Sequence, residues 1–363
     1  MRIAVDAREL CHRPTGVGRY LGELLTEWAA SPEASRHEWV LYAHAAPAVP
    51  APWADRVRVV PGAGGTRWEQ WDFARRLAAD RPDVLFAPAY TAPLTAPCPV
   101  ALTVHDVSFY ALPDEFRFRE GVRRRAVTRW SARRARVVLT DSAFSRQEIV
   151  RRLGIPPARI RAVPLGLRLT PPPPQAPPRE PVVLYVGSIL PRRHVDLLVG
   201  AFARGVWPRV PGARLEVVGE NRLPRPGDLD RAAREAGGGP APVAFRSYVD
   251  EATLAGLYAR ASVFAFLSAY EGFGLTPLEA MAAGVPPVVL DTPVAREVYG
   301  PAARYVEYGP GSAEAVAAAL VELLTDDDAR ARLLAAAGEV LGRYRWDMAA
   351  ARTLDAIEEA AGG

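Results

Sequence analysis

Residues 262–291 read SVFAFLSAYEGFGLTPLEAMAAGVPPVVLD and predict a strand, a loop, a helix and a second strand in succession. Ser262–Leu267 is an apolar run of the length of a buried strand. We expect the helix to have Thr276 as its N-cap and Pro277 as its first residue, where the missing N–H costs nothing. Pro286–Leu290 returns as the second strand, so the stretch predicts a parallel α/β unit.

The loop and helix start of this unit predict an anion site. Free backbone N–H groups and the helix dipole favour a phosphate there. Glu271 opens the loop and Glu279 follows in the first turn, and each carboxylate can accept two hydrogen bonds from vicinal hydroxyls of a sugar. This arrangement suits a nucleotide sugar. Thr276-x-x-Glu279 is equally the spacing of a capping box, a purely structural alternative.

The run from Glu271 to Pro286, EGFGLTPLEAMAAGVP, resembles the E-x7-E signature of retaining GT-B glycosyltransferases, especially glycosyltransferase family 4. The resemblance implies that Glu279 binds the nucleotide ribose and that Glu271 lies at the donor sugar. It also implies that the backbone after Glu271 contacts sugar and phosphate. That segment comprises Gly272, Phe273, Gly274, Leu275 and Thr276.

Composition indicates an ordinary globular protein of about two domains. The chain has 363 residues, 49% hydrophobic and 24% charged, and a net charge of +4 with no lysine. Its two cysteines, Cys11 and Cys98, predict neither a disulfide framework nor a metal site. The N-terminus lacks a signal pattern, and no apolar run approaches the roughly 20 residues of a membrane span. We therefore expect a cytoplasmic protein.

Repeated strand–helix units predict parallel sheets covered by helices on both faces. With the resemblance, this gives two Rossmann-like domains facing across a cleft, the GT-B fold, and a last helix that crosses back to the first domain. A proline-dense segment cannot form a helix or central strand and predicts a linker. The expected boundaries are 1–168, the linker 169–181, the nucleotide-sugar domain 182–345 and the last helix 346–363.

Two stretches of the first domain are candidate ligand contacts. Gly16 and Gly18 follow the first predicted strand in a loop whose backbone a ligand can approach. They do not form a dinucleotide fingerprint, because the third glycine is absent; the resemblance assigns them to donor and acceptor. His105 ends a strand, and the resemblance places it near the donor sugar and diphosphate. Asp106 is a weaker candidate.

Residues from three stretches of the second domain complete the predicted donor site. Gly187 ends its first strand. Arg192 and Arg193 follow, and arginine suits bidentate phosphate contact. The family usually has Lys where this chain has Arg193, and that Lys holds the diphosphate. Ser247, Tyr248 and Val249 are expected at the nucleotide base, although the family usually has Gly at the position of Ser247.

The segment Arg117–Arg136 contains nine arginines and one acid, Glu120, with aromatic residues between them. Its simplest interpretation is a solvated helix face. The alternative is peripheral contact with anionic lipid headgroups at the inner membrane face, which suits a lipid-linked acceptor. No recognised nucleic-acid module accompanies it, so nucleic acid is not expected.

The resemblance implies transfer of a hexosyl group from a nucleotide-diphospho-sugar to a glycan, lipid-linked or small-molecule acceptor, with retention. It weakly favours a GDP-mannose-like donor over a UDP-sugar. We assign no metal and no cofactor; the acids Asp326–Asp328 suit a helix dipole. A nucleotide-sugar epimerase and a non-catalytic nucleotide-sugar-binding protein are the rival functions on the same fold. An NAD dehydrogenase is a weaker rival.

Overall fold

The computed structural model of the chain describes residues 1–11, 16–168, 179–225, 227, 229, 231–232 and 241–362. It contains two compact units. Met1–Gly166 and Tyr344–Gly363 form the first, and Leu167–Arg343 form the second. Of the predicted linker 169–181, residues 169–178 lie outside the described part of the chain.

The first unit is built on a seven-stranded sheet in the order β3-β2-β1-β4-β5-β6-β7, with parallel pairing throughout. The central strands are apolar and buried because helices cover both faces. The strands are β1 (Arg2–Asp6), β2 (Glu38–Ala43), β3 (Val57–Val59), β4 (Val84–Ala87), β5 (Val100–Thr103), β6 (Val137–Thr140) and β7 (Ile160–Ala162).

The last helix of the chain belongs to this first unit. Trp346–Gly362 packs against the first helix and against β4, β5 and β6, and the Trp28 Nε1–H donates to the Ala350 carbonyl over 3.0 Å. The helices of the unit are Gly16–Ala30, Gly65–Arg67, which continues through a π-helical turn into Ala74–Asp80, then Ser108–Ala111, Phe118–Arg134, Ala143–Leu153 and Trp346–Gly362.

The second unit repeats the design with six parallel strands in the order β10-β9-β8-β11-β12-β13. These are β8 (Glu180–Val186), β9 (Arg214–Val218), β10 (Val243–Arg246), β11 (Ala261–Phe266), β12 (Pro287–Leu290) and β13 (Arg304–Val306). Its described helices are Val195–Ala201, Glu251–Arg260, Leu275–Ala282, Pro293–Tyr299, Ser312–Thr325 and Asp327–Leu341. Asp326 accepts from the Ala329 N–H as the N-cap of the last of these.

Gly166 lies in direct contact with Trp346, the first residue of the last helix. A Cβ there would lie 2.3 Å from the Trp346 backbone nitrogen. We expect Gly166→Ala to destabilise the first unit by about 3 kcal/mol, the upper end of overpacking costs. Unfolding midpoints of purified variants check this.

Gly22→Ala is the matched control for that substitution. Gly22 lies inside the helix Gly16–Ala30, and a Cβ there would meet nothing within 4 Å. Alanine should therefore stabilise this helix by about 0.5–1 kcal/mol. Equal midpoints for the two variants would contradict the tight packing at Gly166.

Candidate active site

β8 and β11 lie side by side in the second sheet, and the strand order reverses between them. β9 and β10 extend the sheet on one side of this pair and β12 and β13 on the other. Ligands of parallel sheets bind beyond the carboxyl ends of strands at such a point. The predicted residues Arg192 and Arg193 follow β8, and Glu271 follows β11. The Ala269 N–H donates to the Arg192 carbonyl over 2.8 Å and joins the two loops.

Arg193 and Glu271 form the central contact of this site. The Arg193 Nε–H donates to Glu271 Oε1 over 2.8 Å, and the Ser268 hydroxyl donates to the same oxygen over 2.9 Å. The two side chains are 16% and 17% exposed, so the pair is largely shielded from solvent. Burial opposes the charge, but the Glu271 carboxylate raises the pKa of Arg193, so the guanidinium stays cationic.

The Arg193 guanidinium has two further contacts. Its Nη1 donates to the Ser188 carbonyl over 3.1 Å, and its centre lies 5.1 Å from the centroid of the Phe266 ring. A planar guanidinium can satisfy all of these at once, whereas an ammonium presents a point charge. The structure thus gives a physical role to the arginine that stands where the family has lysine.

The helix Leu275–Ala282 begins earlier than expected. Its N-cap is Gly274, with no side-chain cap, so the prediction of Thr276 as N-cap is wrong. Glu279 consequently lies in the second turn, and the capping-box alternative does not describe this helix start. The reason is the backbone of Gly274, whose φ of 93° only glycine adopts without strain. The Tyr299 hydroxyl donates to the Gly274 carbonyl over 2.9 Å and holds this turn.

Two glycines let β8 and β9 end in close contact. A Cβ on Gly219 would lie 1.9 Å from the Gly187 carbonyl oxygen, and one on Gly187 would lie 2.9 Å from Arg193 Nη1. Both have φ near 150°, within the region that favours glycine. The predicted position Gly187 is therefore required by packing around Arg193, whatever ligand contact it makes.

The remaining donor-site candidates of the second unit lie at the same edge of the sheet. Ser247, Tyr248 and Val249 follow β10, two strands from β8, and Tyr248 is 71% exposed. Gly272 and Phe273 are buried, and Leu275, Thr276 and Glu279 are half-buried. An exposed aromatic ring beyond a strand end is available to stack on a base.

In the first unit, His105 is buried just beyond the carboxyl end of β5. Its Nδ1 lies 2.9 Å from Asp141 Oδ2, and its Nε2 lies 2.9 Å from the Pro88 carbonyl oxygen. Burial alone would lower the pKa of His105, but the Asp141 carboxylate raises it, and the net direction is upward. Asp106 accepts from the Tyr90 hydroxyl and the Ser108 N–H, over 3.1 and 2.7 Å.

A buried charge cluster at the end of β1 was missed by the sequence analysis. Arg8 Nη2 donates to Glu69 Oε1 over 2.5 Å and to the Thr91 hydroxyl over 3.0 Å, and its Nε lies 3.2 Å from Asp6 Oδ2. Burial raises the pKa of Asp6 to about 6 against the opposing effect of Arg8. Asp6 is the last residue of β1 and Arg8 lies two residues beyond it, which is a positional signal; Glu69 has no local signal.

Gly16 and Gly18 lie in the first turn of the helix Gly16–Ala30, not in a loop as predicted. A Cβ on Gly16 would meet nothing within 4 Å, and Gly18 is buried. Residues 12–15, directly before this helix, lie outside the described part of the chain.

A cavity of about 590 Å³ in the second unit begins next to Arg193, since His194 is among the residues that line it. Most of its lining comes from residues 308–314, which end a loop and begin the helix Ser312–Thr325, and from the helix Val195–Ala201, with Arg204 and Arg231. None of the predicted site residues lines it.

The models of two protein families together match nearly the whole chain. Glycosyltransferase Family 4 matches residues 14–170, and Glycosyl transferases group 1 matches residues 170–340. The chain belongs to the group 1, family 4 glycosyltransferases. This membership makes it an enzyme, a nucleotide-sugar glycosyltransferase.

Curated relatives and solved structures agree with the family. O-antigen chain mannosyltransferase B of Escherichia coli is 29% identical over 70% of this chain and 69% of its own length. Phosphatidyl-myo-inositol mannosyltransferase of Mycolicibacterium smegmatis is 34% identical, but the match spans only 51% of this chain and 47% of that protein. Anabaena Alr3699/HepE, crystallised with UDP and glucose, has a TM-score of 0.69 at 19% identity, covering 99% and 98% of the two chains. The chain has the GT-B fold.

Gly274→Ala should disrupt the candidate site at the start of the helix Leu275–Ala282. A Cβ would lie 2.2 Å from the Tyr299 hydroxyl and would also strain a left-handed backbone, at a cost of about 1–3 kcal/mol. We expect weaker nucleotide binding, measured by calorimetry. Gly309→Ala is the control, because its Cβ would meet nothing within 4 Å. Equal nucleotide affinity for both variants would contradict the role of this turn.

Proposed function

We propose that this glycosyltransferase moves a hexosyl group from a nucleotide-diphospho-sugar, GDP-mannose or a close analogue, to a glycan, lipid-linked or small-molecule acceptor with retention. The observation that carries the proposal is the Arg193–Glu271 pair at the junction of β8 and β11. It brings a cation suited to phosphate and a carboxylate suited to sugar hydroxyls to the place where such folds bind ligands.

The leaving diphosphate requires positive charge, because the transition state develops negative charge on it. Arg193, with Arg192 beside it, and the N-terminus of the helix Leu275–Ala282 supply this charge. The proposal includes no metal and no cofactor. The family resemblance adds the backbone of Gly272–Thr276 as the sugar and phosphate contact.

Glu271 and Glu279 have different surroundings, which suits different roles. Arg193 and Ser268 both donate to Glu271 Oε1, so this carboxylate is held in one orientation at the donor sugar. Glu279 lies in the second turn of the helix, beyond the phosphate-binding first turn, where the ribose is expected. The base then stacks and pairs near Ser247, Tyr248 and Val249.

Retention requires that the acceptor attack from the face that the diphosphate leaves. No protein nucleophile is proposed; Glu271 orients the donor sugar, and the family resemblance assigns His105 to the donor site as well. If Asp106 acted instead as general base on the acceptor, the product would be inverted. The anomeric configuration of the product therefore distinguishes these mechanisms.

The identity of the donor rests on the relatives' names. The names of two mannosyltransferases favour a mannosyl donor, and the family resemblance weakly favours guanosine, whereas the structure of Alr3699/HepE with UDP and glucose supports a uridine donor as the alternative. No described contact of the site discriminates the bases, because Tyr248 offers a stacking face that every base can use.

The direct test combines binding and turnover with GDP-, UDP-, ADP-, CDP- and dTDP-sugars. One nucleotide class should raise the unfolding midpoint of the wild type. Glu279→Ala should weaken that binding about 10- to 100-fold, since a hydrogen bond to a charged group contributes about 1.5–3 kcal/mol. The exposed Glu339→Ala in the same unit should leave the affinity unchanged.

Each rival function predicts a different result in that experiment. Consumption of the nucleotide sugar without an acceptor would indicate an epimerase. Binding without turnover on any glycan or lipid-linked acceptor would indicate a sensor. An unchanged affinity in Glu279→Ala would remove this residue from the donor site.

We further propose that the helix Phe118–Arg134 contacts anionic lipid, placing the enzyme at the inner face of a membrane. Phe118, Val122 and Trp130 are 81%, 44% and 58% exposed, and their spacing of four and eight residues puts them on one face. The same face carries exposed arginines at positions 119, 123, 129 and 133. Aromatic residues among arginines are typical of helices that lie in the headgroup region.

Two further observations support contact of this helix with lipid. Trp71, 61% exposed, lies in the helical segment whose Thr66 accepts a hydrogen bond from Arg123. The name of one relative specifies a phosphatidyl-inositol acceptor. In the part of the chain that the structure describes, no helix has the length and hydropathy needed to cross a bilayer.

Vesicle flotation tests the membrane proposal. The wild type should bind vesicles containing phosphatidylserine and be released by high salt, but should not bind purely zwitterionic vesicles. Replacing Arg119, Arg123 and Arg129 with Gln should weaken binding by about 3 kcal/mol, or over 100-fold, at about 1 kcal/mol per arginine.

The control removes the same charge elsewhere. Arg209, Arg260 and Arg352 are exposed, and their triple replacement with Gln should leave flotation unchanged. Binding that ignores lipid charge, or that falls equally in both triple variants, would contradict a specific role of this helix.

A further inference from the structure

His105 connects the carboxyl ends of three neighbouring strands. Its imidazole follows β5, Pro88 follows β4, and Asp141 follows β6, and these three strands are adjacent in the sheet. Nδ1 lies 2.9 and 3.1 Å from the two oxygens of Asp141, and Nε2 lies 2.9 Å from the Pro88 carbonyl oxygen. His105 and Asp141 are 8% and 4% exposed, so water does not compete for these contacts.

The partners of the ring decide how many protons it carries. The Pro88 carbonyl can only accept, so Nε2 must be protonated to bond with it. The other nitrogen faces a carboxylate, and of the two groups imidazole is the stronger base. A proton shared there resides on Nδ1, which leaves the ring doubly protonated with both N–H groups bound to protein.

We propose that His105 serves this enzyme as a fixed imidazolium bridge from Asp141 to Pro88, with Asp141 as its positioning residue, and not as an acid or base. The inference rests on the proposed glycosyl transfer, in which His105 contributes to the donor site. With both N–H groups engaged, the ring can neither accept a proton from the acceptor nor donate one to the leaving group.

The bridge holds a strained loop next to β4. Tyr90 has a φ of 64°, rare for a residue with a side chain, and its hydroxyl donates to Asp106 Oδ2. Rings of Tyr90 and Tyr20 pack edge-on against the imidazole, with centroids 5.5 and 4.9 Å away. The Ser145 hydroxyl donates to the His105 carbonyl over 3.2 Å and fixes the backbone from the β6 side.

Loss of one proton breaks this arrangement, because a neutral ring has one donor for two acceptors. Either Asp141 or Pro88 then faces a bare nitrogen, and the loop beyond β4 loses its anchor. The transferase should therefore fall in activity as His105 deprotonates, although no proton transfer to substrate is involved.

The groups that face the ring determine the pH at which His105 loses its second proton. Burial disfavours the charged ring, whereas Asp141 at the end of β6 and Asp106 beside the ring favour it, and the net pKa of His105 is raised. Tyr20 and Tyr90 contribute uncharged rings, since burial raises the pKa of both hydroxyls. The bridge is thus complete below the ordinary histidine pKa and is lost as pH rises through the raised value.

The experiment is NMR of imidazole-labelled protein, followed over pH, together with the pH profile of kcat/KM for glycosyl transfer. At neutral pH the wild-type His105 should show two protonated nitrogens. Asp141→Asn should lower the pKa of His105, because the neutral amide no longer stabilises the imidazolium. The alkaline limb of kcat/KM should move down with it, and at pH 8 the activity should fall by about tenfold or more, since each pKa unit lost lowers the doubly protonated fraction up to about tenfold.

Two further variants separate charge from simple disruption. Asp141→Glu keeps the carboxylate and should restore part of the activity. Asp106→Asn removes a nearby charge that does not touch the ring nitrogens, and should lower the pKa of His105 less than Asp141→Asn does. One bare nitrogen in the wild type at neutral pH, or an alkaline limb unmoved in Asp141→Asn, would overturn the proposal.

Failure of the proposed transferase function can be distinguished from failure of the imidazolium bridge. If the wild type transferred no sugar from any nucleotide donor, the transferase function would fail while the NMR signals still tested the bridge. If Asp141→Asn does not fold, the protonation of the wild-type ring alone decides whether the imidazolium exists.

Discussion

Parallel strand pairing is the constraint on which both units depend. Because every strand in a sheet runs the same way, all the loops that follow strands gather at one edge. At the β8–β11 junction this brings Arg193 within hydrogen-bond distance of Glu271, 78 residues later in the chain. The same geometry in the first unit brings Pro88, His105 and Asp141 together. No local sequence feature could produce these contacts without the sheet.

Charges that meet at these edges are paired because burial would otherwise neutralise them. Arg193 with Glu271 and Arg8 with Asp6 and Glu69 are half-buried or buried. A buried pair adds little net stability, but loss of one partner leaves an uncompensated charge that costs about 3–5 kcal/mol. Such pairs therefore fix the orientation of functional side chains more than they stabilise the fold. Single substitutions at these positions mix a structural cost with a functional one, which is why conservative variants are the informative ones.

Elements with strong local signals could be predicted from the sequence, whereas contacts that join distant segments could not. β11 and β12 lie within one residue of the strands predicted at 262–267 and 286–290, because apolar runs of this length bounded by turn residues have few alternatives. The helix start at Leu275 was misplaced because capping preferences favoured Thr276, whereas the Tyr299 hydroxyl stabilises the Gly274 turn instead. Asp141 was not among the predicted site residues, because its bond to His105 spans 36 residues. Glu69 lies in a helix and gave no pattern at all.

The departure from the family pattern at position 193 follows from the neighbours of that residue. One planar guanidinium donates to Glu271 and to the Ser188 carbonyl and lies over the Phe266 ring. Gly187 leaves the space that this larger group needs, since a Cβ there would lie 2.9 Å from Nη1. Lysine would keep the charge but could not make both directed hydrogen bonds and the ring contact in one plane. In this chain the cation is therefore coupled to the orientation of Glu271, so the two groups that we propose for the diphosphate and the sugar are positioned as a single unit.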